Sequence, residues 1–265
     1  MKLDKINLIL LTSAILILSW TPETSQWMIK DCKSFALRYT EADTCNLKEY
    51  LKILNNGCQS VDNFFKESFK NKFTVFIHPN RYSLDTTWEK DWNMPNYKSE
   101  CWMVASGTAT KLDMISPKTW DKESCEHKYN DSDKTQKIIT HELFHVYHGQ
   151  LKTSPFSELD SIEWFVEGFA TFASGQNDST RIPEIVSAIN NQTIPKSLYE
   201  FYSGKLRYVL SGSIVMFIDK EYGRKKLKEL LTYSSSKDIL NALHISEFDL
   251  IAKWTKFIQT NNASR

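Results

Sequence analysis

The sequence predicts an α+β fold in which an N-terminal mixed sheet with helices precedes a C-terminal, mainly helical subdomain. Three observations predict it. Short runs rich in β-branched and aromatic residues, bounded by Pro and Gly, are concentrated within residues 73–115. From Pro183 onward the apolar residues recur instead at three- and four-residue steps. Between the two regions lies Thr140-His141-Glu142-Leu143-Phe144-His145, a polar cluster inside an otherwise apolar helical stretch. The chain accordingly divides into a targeting segment (1–20), an α+β subdomain (21–135) and a helical subdomain (136–265). The two subdomains form a single unit, with the helix of residues 140–145 at the cleft between them.

Composition narrows the function classes. A chain of 265 residues can build one sizeable core or two subdomains sharing a cleft. Charged residues at 25 % and hydrophobic residues at 41 % are ordinary for a globular protein. The formal net charge of +1 provides no electrostatic case for nucleic acid, and the densest basic cluster, residues 224–228, reads as a solvated helix face. At the N-terminus, Lys2 and Lys5 precede an apolar run over residues 6–18, followed by polar residues. That run is short for a membrane span and suits a signal-peptide core, with an uncleaved anchor as the alternative. The expected location is therefore secreted or periplasmic, or else membrane-anchored through this segment alone.

In chain order, residues 27–39 carry no clear pattern. Residues 45–69 place Leu47, Leu51, Leu54, Cys58, Val61, Phe65 and Phe69 at helical steps, although Asn55-Asn56-Gly57 could split the helix. Residues 73–77 read as a strand stopped by Pro79, and residues 80–98 as a loop. Residues 102–105 and 111–115 read as two more strands joined around Ser106-Gly107-Thr108, the second ended by Pro117. Residues 121–134 read as a charged surface loop. A helix over 132–149 follows, capped by Ser132 or Asp133 and closed by Gly149. A loop containing Pro155 leads to a second helix through Ile162, Phe165, Val166, Phe169 and Ala173. Further helices are expected over 206–222, stopped by Gly223, and over 227–231, 238–243 and 247–258, the last capped by Ser246 with Asp249 three residues on.

The five cysteines, Cys32, Cys45, Cys58, Cys101 and Cys125, form no C-x-x-C spacing, so a cysteine zinc site is unsupported. In an oxidising compartment Cys101 with Cys125 is the expected disulfide, and an odd count leaves a thiol over. Sequons at Asn130, Asn177, Asn191 and Asn262 matter only where secreted proteins are glycosylated.

The chemistry resides in residues 140–170. His141 and His145, four apart on a helix, share one face and can grip one metal ion. Glu142, about 100° round the helix, can reach a water on that metal. Catalytic zinc usually takes three protein ligands and keeps one position open. A third histidine six residues past His145 is absent, because Leu151 stands there. His148, one turn on, reads better as an outer or surface histidine near the helix end. Glu167 on the next helix is the favoured third ligand, with Glu163 its rival and Glu158 too early in the loop. Gly168 would let helices pack closely beside the metal.

His141-Glu142-x-x-His145 followed by Trp164-x-x-Glu167-Gly168-x-Ala170 resembles the gluzincin metallopeptidases. The W-x-x-E-G-x-A element is similar to that of the M1-type aminopeptidases, and the general pattern to smaller peptidase MA-like proteins. The resemblance spans roughly residues 70–230 and is specific around 136–175. It implies one catalytic Zn2+ held by His141, His145 and Glu167, with Glu142 as general base in peptide-bond hydrolysis. It also implies a tyrosine that steadies the oxyanion; Tyr208 is the candidate, with Tyr202 and Tyr199 as rivals. The G-x-M-E-N element by which M1-type enzymes hold a free amino terminus is absent, so aminopeptidase activity is not expected. The expected partner is a peptide or protein, which residues 102–107 could take up at a sheet edge. The alternative is a non-catalytic zinc- or peptide-binding protein on the same fold, which would have no need of Glu142. No G-x-S-x-G elbow supports a serine hydrolase.

Overall fold

A computed structural model describes residues 26–152, 161–177 and 181–263. The apolar run of residues 6–18, Glu158 and the Pro155 loop lie outside them. Among the described residues no helix is long and apolar enough to cross a membrane.

A mixed five-stranded sheet occupies the N-terminal part and helices most of the rest, an α+β architecture. The strands are β1 (Met28–Asp31), β2 (Phe35–Tyr39), β3 (Phe73–His78), β4 (Ala105–Gly107) and β5 (Lys111–Ile115), in the spatial order β1-β2-β3-β5-β4. β2, β3 and β5 run parallel, while β1 and β4 are antiparallel edges. Phe35, Leu37, Val75, Ile77, Leu112 and Met114 are fully buried, so alternate positions of the central strands fill the core. The hairpin of β1 and β2 went unassigned in the sequence because β1 is largely exposed and shows no apolar alternation.

The helix α1 (Leu47–Phe65) runs unbroken through Asn55-Asn56-Gly57. Gly57 is a packing contact and not a cap: a Cβ there would lie 2.4 Å from Leu143 Cδ1. Residues 80–98, expected as loop, contain α2 (Arg81–Asp91), whose N-cap Asn80 accepts a hydrogen bond from the Ser83 backbone at 2.9 Å. Its apolar stripe is only Leu84 and Trp88, too little to register as a helical period. The first strand of the expected pair begins later, at Ala105, so Ser106 and Gly107 belong to β4 and the turn is made by residues 108–110. Within 121–134, α3 (Trp120–Glu123) tucks the Trp120 indole into the core, donating to the Ile115 carbonyl at 3.0 Å.

The helix α4 (Ser132–Leu151) carries the H-E-x-x-H residues. Its cap is Asp131, one residue before the expected candidates, accepting from the Lys134 backbone at 3.2 Å. Gly149 does not end it: the helix runs on to Leu151, and Gly149 lets its backbone pass close to Ala109. From Ile139 to His148 nearly every side chain is buried, since α4 packs on α1, on β4 and β5, and on α5 (Glu163–Ala173). The remainder comprises α6 (Ile182–Asn190), α7 (Leu198–Phe201), α8 (Arg207–Tyr222), α9 (Arg224–Leu230), α10 (Ser236–Leu243) and α11 (Glu247–Ala263). Ser246 caps α11 as expected, accepting from the Asp249 backbone at 3.1 Å. Gly223, at φ 85°, separates α8 from α9. α5 and α8 pack closely at Gly168, where a Cβ would fall 2.4 Å from the Ser211 carbonyl oxygen. This close approach brings the start of α8 beside the residues of α4.

Cys101 and Cys125 form the expected disulfide. Three thiols remain outside it, Cys32, Cys45 and Cys58, where the odd count alone required one.

Candidate metal centre

α4 and α5 bring His141, His145 and Glu167 to one point. The two Nε2 atoms are 3.0 Å apart, and the Glu167 carboxylate oxygens lie 3.3 Å from His141 Nε2 and 3.5 Å from His145 Nε2. The helical rise sets the first distance, because residues four apart lie one above the other. The second and third depend on α5 packing across α4. Three lone-pair atoms this close repel one another unless a positive charge, a proton or a metal ion, sits among them. A tetrahedral ion with bonds of about 2.0–2.1 Å has ligand–ligand edges of roughly 3.3 Å, which matches these spacings. The His-His-Glu group could therefore hold one metal ion.

Electrostatics agrees with the geometry. Burial opposes ionisation of Glu167, but the two imidazoles outweigh it and hold the carboxyl far below the usual range. Burial likewise opposes protonation of His145, and the Glu167 carboxylate overrides it, moving the imidazole pKa up. Both histidines are buried, whereas the Glu167 side chain keeps 24 % exposure, so the group opens toward solvent on the α5 side.

Glu142 leaves α4 on the side of the sheet, close enough to the triad for its charge to act on His145. Its Oε2 accepts the Gly107 backbone N–H at 2.8 Å. This contact needs glycine: a Cβ at residue 107 would sit 2.2 Å from the Glu142 carbonyl oxygen. β4 pairs with β5 through the Val104 carbonyl and the Thr108 N–H. By antiparallel alternation, the backbone polar groups of Ala105 and Gly107 are thus directed off the outer edge.

Tyr208, at the start of α8, packs edge-on to His141 with ring centroids 6.2 Å apart. Tyr202 donates its hydroxyl hydrogen to the Tyr208 oxygen at 3.3 Å, and burial raises both phenol pKa values, with the Glu167 charge adding to the effect. Of the two rivals, Tyr202 is hydrogen-bonded to Tyr208 and Tyr199 is 71 % exposed. Glu163 is exposed at the first turn of α5 and is not part of the cluster.

Sequence reasoning missed Gln176, whose Oε1 lies 2.8 Å from His141 Nδ1. That contact fixes Nδ1 as the protonated nitrogen and leaves Nε2 free to coordinate. Gln176 follows Gly175, at φ 77°, just beyond α5; no spacing rule marks it. Gln176→Ala is expected to weaken metal affinity roughly 10- to 100-fold with the fold intact, measured by competition against a chelating dye.

His148 is neither a ligand nor a surface residue. It is buried, with Nε2 donating to the Leu231 carbonyl at 3.0 Å, and burial together with the nearby His145 pushes its pKa down to about 3. Its folded pKa lies below the unfolded value of about 6.5. Stability from this group is thus complete above pH 6.5 and is lost as pH falls from there toward 3, at up to about 1.4 kcal/mol per pH unit. Urea unfolding between pH 7.5 and 4.5 should show that slope, and His148→Leu should remove it.

No protein-family model matches the chain and no curated protein matches it in sequence, so the reading of this centre stands on its own geometry.

Proposed function

We propose that the protein is a zinc metallopeptidase of gluzincin type, hydrolysing peptide bonds with Glu142 as general base. The observation that carries the reading is a three-donor centre with a separately anchored carboxylate beside it. Two imidazoles and one carboxylate suit zinc better than the oxygen-seeking magnesium or calcium. His141, His145 and Glu167 would hold the ion. When bound, zinc supplies Lewis acidity, lowering the pKa of water to about 7 and polarising a carbonyl.

The remaining work falls to the chain itself. Glu142 takes the proton of the attacking water as the new C–O bond forms, then delivers it to the amine nitrogen as the C–N bond breaks. The Gly107 N–H holds that carboxylate in place beforehand, so little ordering is left to the moment of reaction. Tyr208 donates to the developing oxyanion. Because Tyr202 already donates to the Tyr208 oxygen, the Tyr208 hydrogen is left available for substrate. Burial keeps that phenol protonated across the physiological range.

A peptide substrate fits as an added strand on the outer edge of β4, pairing with the outward groups of Ala105. A location outside the cytoplasm, secreted or periplasmic, is supported by the Cys101–Cys125 disulfide. A binding protein on the same scaffold would leave the anchoring of Glu142 without a purpose. The test is cleavage of an unstructured peptide mixture by the wild type and by Glu142→Gln at equal zinc content, read by mass spectrometry. Cleavage by neither protein, or by both equally, would remove the reading.

A further inference from the structure

Arg207 is the first residue of α8, immediately before Tyr208. Its guanidinium carbon lies 4.7 Å from the Trp102 ring centroid and 5.0 Å from that of Tyr208. Two aromatic faces therefore flank the cation, which leaves only its planar edge for hydrogen bonding. Among the described residues no carboxylate pairs with Arg207; the guanidinium donates to the Tyr208 hydroxyl, and its Nε is shielded from water without an acceptor. Other arginines of the fold are satisfied: Arg224 grips both oxygens of Asp219, and Arg81 is bound by several carbonyls. A shielded cationic donor without an acceptor is costly, and natural folds rarely keep one without use.

Its position relates it to the centre. Tyr208 lies between Arg207 and His141. Trp102, on the other side, belongs to the segment that feeds β4, whose Gly107 holds Glu142. That segment is firmly set: Cys101 is in the disulfide, the Trp102 carbonyl accepts from His127 Nε2 at 3.0 Å, and Arg81 Nη1 donates to the Met103 carbonyl at 2.9 Å. The guanidinium is thus built into a rigid aromatic slot, beside the edge strand and one residue from the tyrosine at the centre.

The geometry points to Arg207 as a specificity residue that takes a carboxylate of the substrate within a few residues of the scissile bond. This rests on the peptidase reading above and names its substrate class. The carboxylate is either the free C-terminus of a peptide or an Asp or Glu side chain; both present the planar pair of oxygens that a guanidinium edge matches. A neutral substrate leaves the arginine without an anionic partner, so discrimination comes from the absent partner as well as from the pair formed.

The test uses zinc-loaded Glu142→Gln protein and N-acetylated hexapeptides in matched forms. One pair differs only in a free C-terminal acid or amide; a second pair, both amidated, carries Glu or Gln at each position in turn. Calorimetric binding should favour one acidic form by about tenfold or more, as for a charge-assisted bidentate pair. Preference in the first pair assigns the C-terminus, and preference in the second assigns the side chain. Arg207→Met, which keeps an apolar stem between the two rings, should abolish the preference while neutral peptides bind as before. Arg207→Lys should retain part of it. Equal binding of acidic and neutral forms, no binding of any form, or a uniform loss in Arg207→Met would overturn the proposal. Cleavage of the same set by the wild-type chain separates the two readings. Preference without cleavage keeps Arg207 and removes the peptidase, whereas cleavage without preference does the reverse.

Discussion

Glu142→Gln is expected to lower the turnover of an unstructured peptide by about 10²- to 10⁴-fold, the usual worth of a positioned acid–base group. Metal content and KM should change little. Glu142 is not one of the three converging donors, and the glutamine amide oxygen can still accept the Gly107 N–H. The substitution removes the one thing glutamine cannot do, which is carry a proton from water to the leaving amine. Glu142→Asp should fall between the two, because a shorter side chain retains basicity but draws back from the anchor. Single-turnover cleavage with metal analysis of each sample would check this. A variant that loses zinc along with activity would instead show that Glu142 supports the ion and leave its role as base without support.

Zinc added to the metal-free protein is expected to raise its thermal midpoint by roughly 8–16 °C. An ion that binds only the folded chain stabilises it by about 4 kcal/mol at a thousandfold excess over Kd. Each kcal/mol shifts the midpoint of a chain of this size by about 2–4 °C. His145→Ala should abolish the shift, because two donors remain where three converged within 3.5 Å. The same variant also loses the charge contact between His145 and Glu167, so its metal-free midpoint should fall as well. Scanning calorimetry on wild type and variant, each with and without zinc, separates the two effects. A full shift in His145→Ala would show that the ion binds elsewhere. Magnesium or calcium matching zinc at equal concentration would contradict the choice of metal.

What the sequence determined by itself is local. The spacing of His141, Glu142 and His145 dictates one helix face for two imidazoles and another for the carboxylate, because 3.6 residues make a turn whatever the rest of the chain does. The same periodicity marked the helix carrying Glu167, and cap chemistry marked the start of α11 at Ser246. Where the local signal is thin, sequence reading failed. α2 has too few apolar residues to show a period, and β4 is three residues long with a buried glycine as its last member. The apparent stops at Gly57 and Gly149 misled because glycine at a helix contact looks like glycine at a helix end. The tertiary structure alone decided the rest. Gln176 behind His141, the Gly107 N–H on Glu142, the Tyr202 hydroxyl on Tyr208, and Arg207 between Trp102 and Tyr208 join residues that are mostly far apart in the chain. Such contacts are set by how α5 and α8 close at Gly168 and how β4 seats on α4. Those packings depend on the whole core, and no local pattern encodes them.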